Sequence, residues 1–340
     1  MTKQLKYDIF DRVTGLSLLL GDARYSYAFT YGKNNAVKTE TLEDVYTLSY
    51  VYDSLGRVTS KTVDPVAYYD EADLEWHDVS GSYLYSYKPG YNQNGGTGAT
   101  TTLVSQLVTP FTNTAFNYTY DANGNITAEN GKQYYYDSLG QLIKTVEGTT
   151  VTEYSYTYGG NILSRTVTED GVVVKTDSYV YSGDADWYDQ LYSFNGETIS
   201  YDQIGNPVSY RGATLTWTRG RQLASYYKNG STYSYTYNSE GIRTSKTVGD
   251  VKTEYILDGS TVIGERTANA ITGESISAID YLYDSNGTPV GLKYNNNFYY
   301  YETNLQGDIL NIISPMGQTV VSYSYDEWGR LLSEIGRAHV

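Results

Sequence analysis

Along most of the chain, aromatic or β-branched residues alternate with Thr, Ser and Lys at a period of two. Tyr50-Val-Tyr52, Tyr118-Thr-Tyr120, Tyr235-Thr-Tyr237 and Tyr323-Ser-Tyr325 are the plainest runs. That period places both rings of a run on one face of a strand. No long stretch carries the 3.6-residue spacing of an amphipathic helix. Each run breaks at an Asp or Asn, and a Gly follows three residues later. The Asp carboxylate can accept nearby main-chain N–H groups and open a turn. The Gly supplies the positive φ that closes it. The residues after it, as in Val58-Thr-Ser-Lys61-Thr-Val63, start a return strand. One such unit is one β-hairpin.

The unit recurs from end to end. After Tyr50 to Val58 come Tyr118 to Ile126, Tyr134 to Leu142, Ile199 to Val208, Tyr235 to Arg243, Tyr281 to Val290 and Tyr323 to Leu331. Weaker copies lie at Tyr7 to Gly15, Tyr156 to Asn161 and Leu215 to Leu223. Turn glycines follow each other at sixteen residues (Gly124 to Gly140), twenty (Gly140 to Gly160) and twenty-two (Gly307 to Gly329). Two strands and two turns need about that much chain. The pattern predicts an all-β fold of tandem hairpins forming one large, curved antiparallel sheet. Three segments interrupt it: Pro65 to Trp76, the Gly/Asn-rich Lys88 to Thr102, and Ala268 to Ser277. They read as surface loops on one array over 1–333, because the same unit runs on both sides of each.

Composition sharpens this picture. The chain has 340 residues with 41 Tyr against 6 Phe, and no Cys. Tyr favours strands and couples an apolar ring to a polar tip. The absence of Cys excludes disulfides, thiolate zinc sites and Cys nucleophiles. The net charge is −15, which argues against nucleic acid and against an anionic membrane surface as partners. No apolar run approaches the ~20 residues of a membrane span.

Tyr-x-Tyr-Asp-x-x-Gly-[Arg/Asn/Gln]-[Val/Ile/Leu] resembles the YD repeat of the RHS (rearrangement-hotspot) family, which takes in polymorphic toxins and wall-associated proteins. The most specific stretch is Tyr299-Tyr-Tyr301-Glu-Thr-Asn304-Leu-Gln-Gly307-Asp308-Ile309 with the later Tyr323-Ser-Tyr325-Asp326-Glu-Trp328-Gly329. From about residue 298 it is similar to the start of the RHS-associated core segment. The resemblance implies part of a hollow shell of spiralling sheet around a C-terminal toxic segment. It implies an immunity protein or a secretion apparatus as further partners, and a secreted or cell-surface location. In the family the rest of the core segment carries an aspartate pair for self-cleavage. No position here matches that motif, so no such residue is carried over. Glu334-Ile-Gly-Arg-Ala-His-Val340 departs from the repeat and matches one reading frame of a common sequencing adapter, so 334–340 reads as a non-native tail.

Little else in the sequence suggests chemistry. The only His are His77, in an acidic segment, and His339, in the tail. Two such His cannot form a His metal site, and only His77 is open to a catalytic triad. His77 reads as part of a solvated loop. Asp184-Ala-Asp186-Trp-Tyr-Asp189 lacks the ligand ladder of a calcium loop and reads as a degenerate turn. Gly95-Gly96-Thr97-Gly98 precedes no strand–helix unit, which removes a phosphate loop. The Asp residues have work in turns, and the tyrosine ladders read as packing across strands. The expectation is therefore a non-enzymatic wall with no catalytic, cofactor-binding or metal residues and no cofactor. The alternative is a bacterial surface adhesin or wall-associated protein that binds carbohydrate.

Overall fold

The computed structural model describes residues 2–21, 23–70, 74–90, 99–183 and 188–336. Among them are thirty-three strands and no helix. The pairings are antiparallel, almost always between strands consecutive in sequence. The strands gather into two large sheets of seventeen and fourteen, with one separate two-stranded hairpin. The fold class is thus all-β, as the alternation predicts. The ladder changes sheets at Ile199, between the short strands Glu197–Thr198 and Ser200–Tyr201.

The repeat unit has one geometry. Tyr46–Tyr52 pairs with Val58–Pro65, with Tyr50 opposite Lys61 and Tyr52 opposite Val58. The register shifts between Val51 and Tyr52, so a bulge sits beside the turn. The main-chain N–H of Asp53 donates to the carbonyl of Arg57, and that of Gly56 to the carbonyl of Asp53. Gly56 lies at φ 80° and Gly124 at φ 88°, where a side chain is strained. Turns at the opposite ends of the strands have other chemistry. Asn130-Gly131 (φ 45° and 92°) and Asn229-Gly230 (φ 51° and 82°) are paired left-handed residues, which suit a two-residue turn of primed type.

The three interrupting segments are more regular than expected. Tyr68–Asp70 and Glu75–His77 pair as the separate hairpin. In the segment read as a Gly/Asn-rich loop, Gly81–Gly90 and Ala99–Val108 extend inward, pairing Pro89 with Thr100 and Gly90 with Ala99. Within 268–277, Thr261–Asn269 and Ser275–Tyr283 flank a tight turn in which the Asn269 side chain accepts from the N–H groups of Ile271 and Thr272. In the last two segments the flanking strands' ladders outweigh the polar, turn-prone composition, while the first pairs only within itself. Glu334 to Gly336 finish the strand Leu331–Gly336, opposite Tyr323 to Val321; His339 and the rest of the tail lie outside the described residues.

The chain forms two compact units. The first takes residues 1–116, 255–267 and 275–340; the second takes 117–254 and 268–274. The first holds all of the largest fully buried side chains, among them Leu42, Tyr46, Leu48, Leu107, Leu282 and Ile313. The second holds none of these. Its buried residues include Leu142, Tyr154, Val167 and Phe194, and polar Thr145, Thr152, Asp177 and Asn206.

Candidate functional site

The repeated turn is the first place to look for chemistry, because it concentrates carboxylates. In each full copy the Asp is engaged by its own turn. Asp53 Oδ1 accepts the N–H groups of Leu55 (2.9 Å) and Arg57 (3.0 Å), and Oδ2 accepts Arg57 Nε (2.7 Å). Asp121, Asp137, Asp202 and Asp326 repeat the two main-chain bonds. Asn238 makes the same pair with Glu240 and Ile242. The Arg57 partnership and the two N–H donors hold the Asp53 carboxyl below its usual range, and the Asn125 amide does the same at Asp121.

The second tyrosine of the unit does something the alternation alone does not reveal. Its hydroxyl donates to the carbonyl of the residue that opens the return strand of the hairpin before it. Tyr52 reaches Val37 O (2.8 Å), Tyr87 Val58 O (2.6 Å), Tyr136 Ile126 O (2.9 Å) and Tyr325 Ile309 O (2.9 Å). Trp217 uses its indole N–H in the same way, on Pro207 O (2.7 Å). In two of the Arg-bearing turns the guanidinium lies over that ring: Arg12 over Tyr31 at 4.5 Å and Arg57 over Tyr87 at 4.1 Å. These hairpins are thereby locked to the ones before them.

A second concentration of carboxylates lies in the first unit. Glu302 is 0% exposed and accepts from the N–H groups of Phe111 (3.0 Å) and Thr112 (2.9 Å), the Thr112 hydroxyl (2.8 Å) and Asn311 Nδ2 (2.6 Å). Glu40, 1% exposed, accepts the N–H of Ser285 (2.9 Å). Burial pushes its carboxyl up to about 7, and nearby Asp284 adds to that, while Lys61 opposes it. Asp284 keeps its own turn bonds to Asn286 and Thr288 and also holds Lys61 Nζ (2.8 Å). Asp280 receives Tyr25 OH (2.5 Å) and pairs with Arg266 (2.6 Å). Burial, then the Asp280 acceptor, drives the Tyr25 hydroxyl far upward. Each of these carboxylates has a donor from a segment remote in sequence. The arrangement fastens the N-terminal strands of this unit to its C-terminal strands.

The residues weighed from sequence do not come together. His77 sits on the small hairpin opposite Tyr68. Asp189 is described and accepts Asn161 Nδ2 (2.7 Å), whereas Asp184, Asp186 and the Gly95 to Gly98 run lie outside the described residues. Among the described residues no group of three or more His, Asp or Glu is placed to hold a metal, and no helix is long and apolar enough to cross a membrane. The tyrosine ladders pack partly as expected: Tyr226 meets Tyr233 across strands edge-on at 5.7 Å, and Tyr50 and Tyr52 lie along one strand at 6.4 Å. Sequence reasoning missed Glu40 and Glu302. Parity could have found them, since Glu40 shares a strand face with the buried Leu42, and Glu302 with Tyr300.

No family model matches the chain. The tRNA nuclease WapA of Bacillus subtilis strain 168 is 34% identical over 200 residues, which is 57% of this chain and 8% of that protein. The tRNA(Glu)-specific nuclease WapA of Bacillus subtilis subsp. natto is 30% identical over the same extent. The chain thus spans under a tenth of the length of these relatives. Among solved structures, TcdB2-TccC3 without its hypervariable C-terminal region superposes with a TM-score of 0.59 over 98% of this chain and 20% of that one, at 15% identity. The Tc holotoxin pore of Photorhabdus luminescens gives 0.55 over 98% and 17%, also at 15% identity. That likeness concerns the fold, and the repeated Tyr-x-Tyr-Asp turn supplies the signature. In sequence the chain is similar to WapA and in fold to these toxin structures, and its repeated turn resembles the YD repeat of the RHS family. In a YD-repeat chain the turn aspartate and the locking tyrosine are the signature residues themselves, and both are taken up by structure.

Proposed function

We propose that the chain is a wall segment of a YD-repeat toxin or delivery protein, a scaffold and not the catalytic part. In this reading the repeats enclose a C-terminal toxic segment of the longer protein, which is secreted or displayed on a bacterial surface. An immunity protein or a secretion apparatus is its further partner. The observation that carries this reading is the use of the turn aspartates. In each, one carboxylate oxygen takes the same two main-chain donors, and at Asp53, Asp121, Asp202 and Asp326 a side chain of the turn holds the other oxygen, so the commonest reactive group of the chain is given to shaping turns. A catalytic carboxylate needs a free face toward substrate and a local setting unlike its copies. The fold likeness to TcdB2-TccC3 supports the same view, and the similarity to WapA falls on repeat sequence. The test expresses the full-length gene with its C-terminal region intact and probes that region with protease. Protection only when residues 1–333 are present supports a wall. Equal digestion with and without them, or hydrolase activity from residues 1–333 alone, overturns it.

A further inference from the structure

In the first unit, one lysine stands without the acid that faces it. Lys293 lies directly opposite Asp280 in the antiparallel register of Ser275–Tyr283 and Pro289–Tyr294. Opposite charges so placed ordinarily pair. Here both oxygens of Asp280 are engaged elsewhere. Tyr25 OH donates to Oδ2 (2.5 Å), and Arg266 Nη2 stands 2.6 Å from Oδ1. The Arg266 contact is an ion pair and not an aligned hydrogen bond, and its Oδ1 end is shut off from solvent. A Cβ at Gly264 would stand 3.1 Å from that oxygen and 3.4 Å from Arg266 Nη1, so the strand gives up a side chain to seat the pair. Lys293 is left half-buried, and among the described residues its ammonium enters no ion pair. Its Nζ lies 5.4 Å from the centre of the Phe298 ring.

These groups open onto a cleft of about 470 Å³, whose polar lining is Arg266, Lys293, Asp280, Asn295 and Asn296. Asn295 accepts the Ala278 N–H with its amide oxygen (3.1 Å). Asn295 and Asn296 are both left-handed (φ 44° and 75°), and the tight turn they form sets two exposed amides side by side on the cleft. Among the described residues neither amide NH2 has a partner. All of these residues belong to the first unit.

From this we infer that the cleft between Lys293, Arg266 and the Asn295–Asn296 turn binds an oxyanion, the phosphate or carboxylate group of a small solute. The groups it offers are donors: an ammonium, a guanidinium and two amides. Its one carboxylate is withdrawn, with Tyr25 on one oxygen and Arg266 on the other. Two cations against one anion leave a single positive charge, in a chain whose net charge is −15. A half-buried charge with no counter-charge is costly. An anion seated beside Lys293 removes that cost and gains charge-assisted hydrogen bonds. Arg266 is held in place by the Glu265 and Ile279 carbonyls, so the site is set before the anion arrives. The volume falls within the range of small-ligand pockets.

The test titrates the intact chain by isothermal calorimetry, in dilute chloride buffer, with inorganic phosphate, phenyl phosphate, acetate and benzoate, and with tetramethylammonium as the cationic comparison. The expected result is saturable binding of at least one anion, weakening as chloride is raised. The phosphate and carboxylate arms tell which group the cleft takes. Lys293→Met keeps the length of the side chain and loses its charge, and Asn296→Asp sets a negative charge on an exposed turn residue. Each should weaken binding about tenfold or more. Thermal unfolding gives a second readout: saturating anion should raise the midpoint of the parent and leave that of Lys293→Met where it was. No anion bound above the blank overturns the inference, and so does anion binding that neither variant weakens. Tighter binding of tetramethylammonium than of any anion overturns it as well.

Discussion

A hydroxyl is all that separates Tyr136 from a phenylalanine, and the structure uses it. The ring alternates with polar neighbours as any strand aromatic would, but the O–H ends 2.9 Å from Ile126 O in the preceding hairpin. At the locking position this favours Tyr over Phe: Phe would fill the same space and leave that carbonyl without its donor. Tyr136→Phe should therefore lower stability by about 0.5–1.5 kcal/mol. Tyr158→Phe, at a fully exposed ring of the same unit, should fall within about 0.5 kcal/mol of the parent. Denaturant midpoints of the two variants check this, and equal midpoints would refute the lock. Gly124 makes the complementary point. A Cβ built there meets nothing within 4 Å, so any cost of substitution lies in its φ of 88°. Gly124→Val should cost on the order of 1–3 kcal/mol. Gly124→Asn should recover much of that loss, since Asn tolerates the left-handed region; equal losses would point to crowding instead.

At the scale of the hairpin, the strand period and the Asp-to-Gly turn were legible in the sequence, because both are local. Period two fixes the face, and Asp and Gly fix the turn within five residues. What was not legible lies between hairpins. The tyrosine lock joins residues ten or more apart through a main-chain acceptor, which has no residue type to read. The stretch around 88–102 looked like a loop because it is rich in Gly and Asn, and 268–277 because it is polar and breaks the repeat. Ladder bonds from the flanking strands shorten both into hairpin ends. The chain itself supplies a control for the turn. Asn238 makes the same two main-chain bonds that Asp137 makes with Leu139 and Gln141. Asp137→Asn should thus remain within about 0.5 kcal/mol of the parent. Asp137→Ala, which strips both N–H groups of their acceptor, should lose about 1–2 kcal/mol. Unfolding curves of the pair decide the matter; if Asn is as damaging as Ala, charge and not geometry holds the turn.

At the scale of the first unit, the ends of the chain are held by carboxylates with partners up to 255 residues away, and Glu40 gives this a pH signature. Its usual carboxyl value is 4.5, and burial, with Asp284 close by, raises it to about 7 in the folded chain. Below the usual value the group is protonated in both states and has no effect on stability. As pH rises from about 4.5 the unfolded chain ionises while the folded one resists, so folding loses free energy. The loss levels off once pH passes about 7, at roughly 3 kcal/mol. The turn aspartates act oppositely and in another window. Asp53 and Asp121 are held below their usual range, so their contribution is present above it and fades as pH falls beneath it. The two effects are therefore separable by substitution. Gln at position 40 keeps an oxygen for the Ser285 N–H and cannot ionise. The stability of Glu40→Gln relative to the parent should hence climb between pH 4.5 and 7 and stay level from 7 to 8.5. Thermal unfolding of both proteins across that range reads the difference directly. A gap that stays constant from pH 4.5 to 8.5 would mean that Glu40 ionises as freely in the fold as outside it, through water or through Lys61, and that the long-range fastening here is polar contact without a pH-dependent cost.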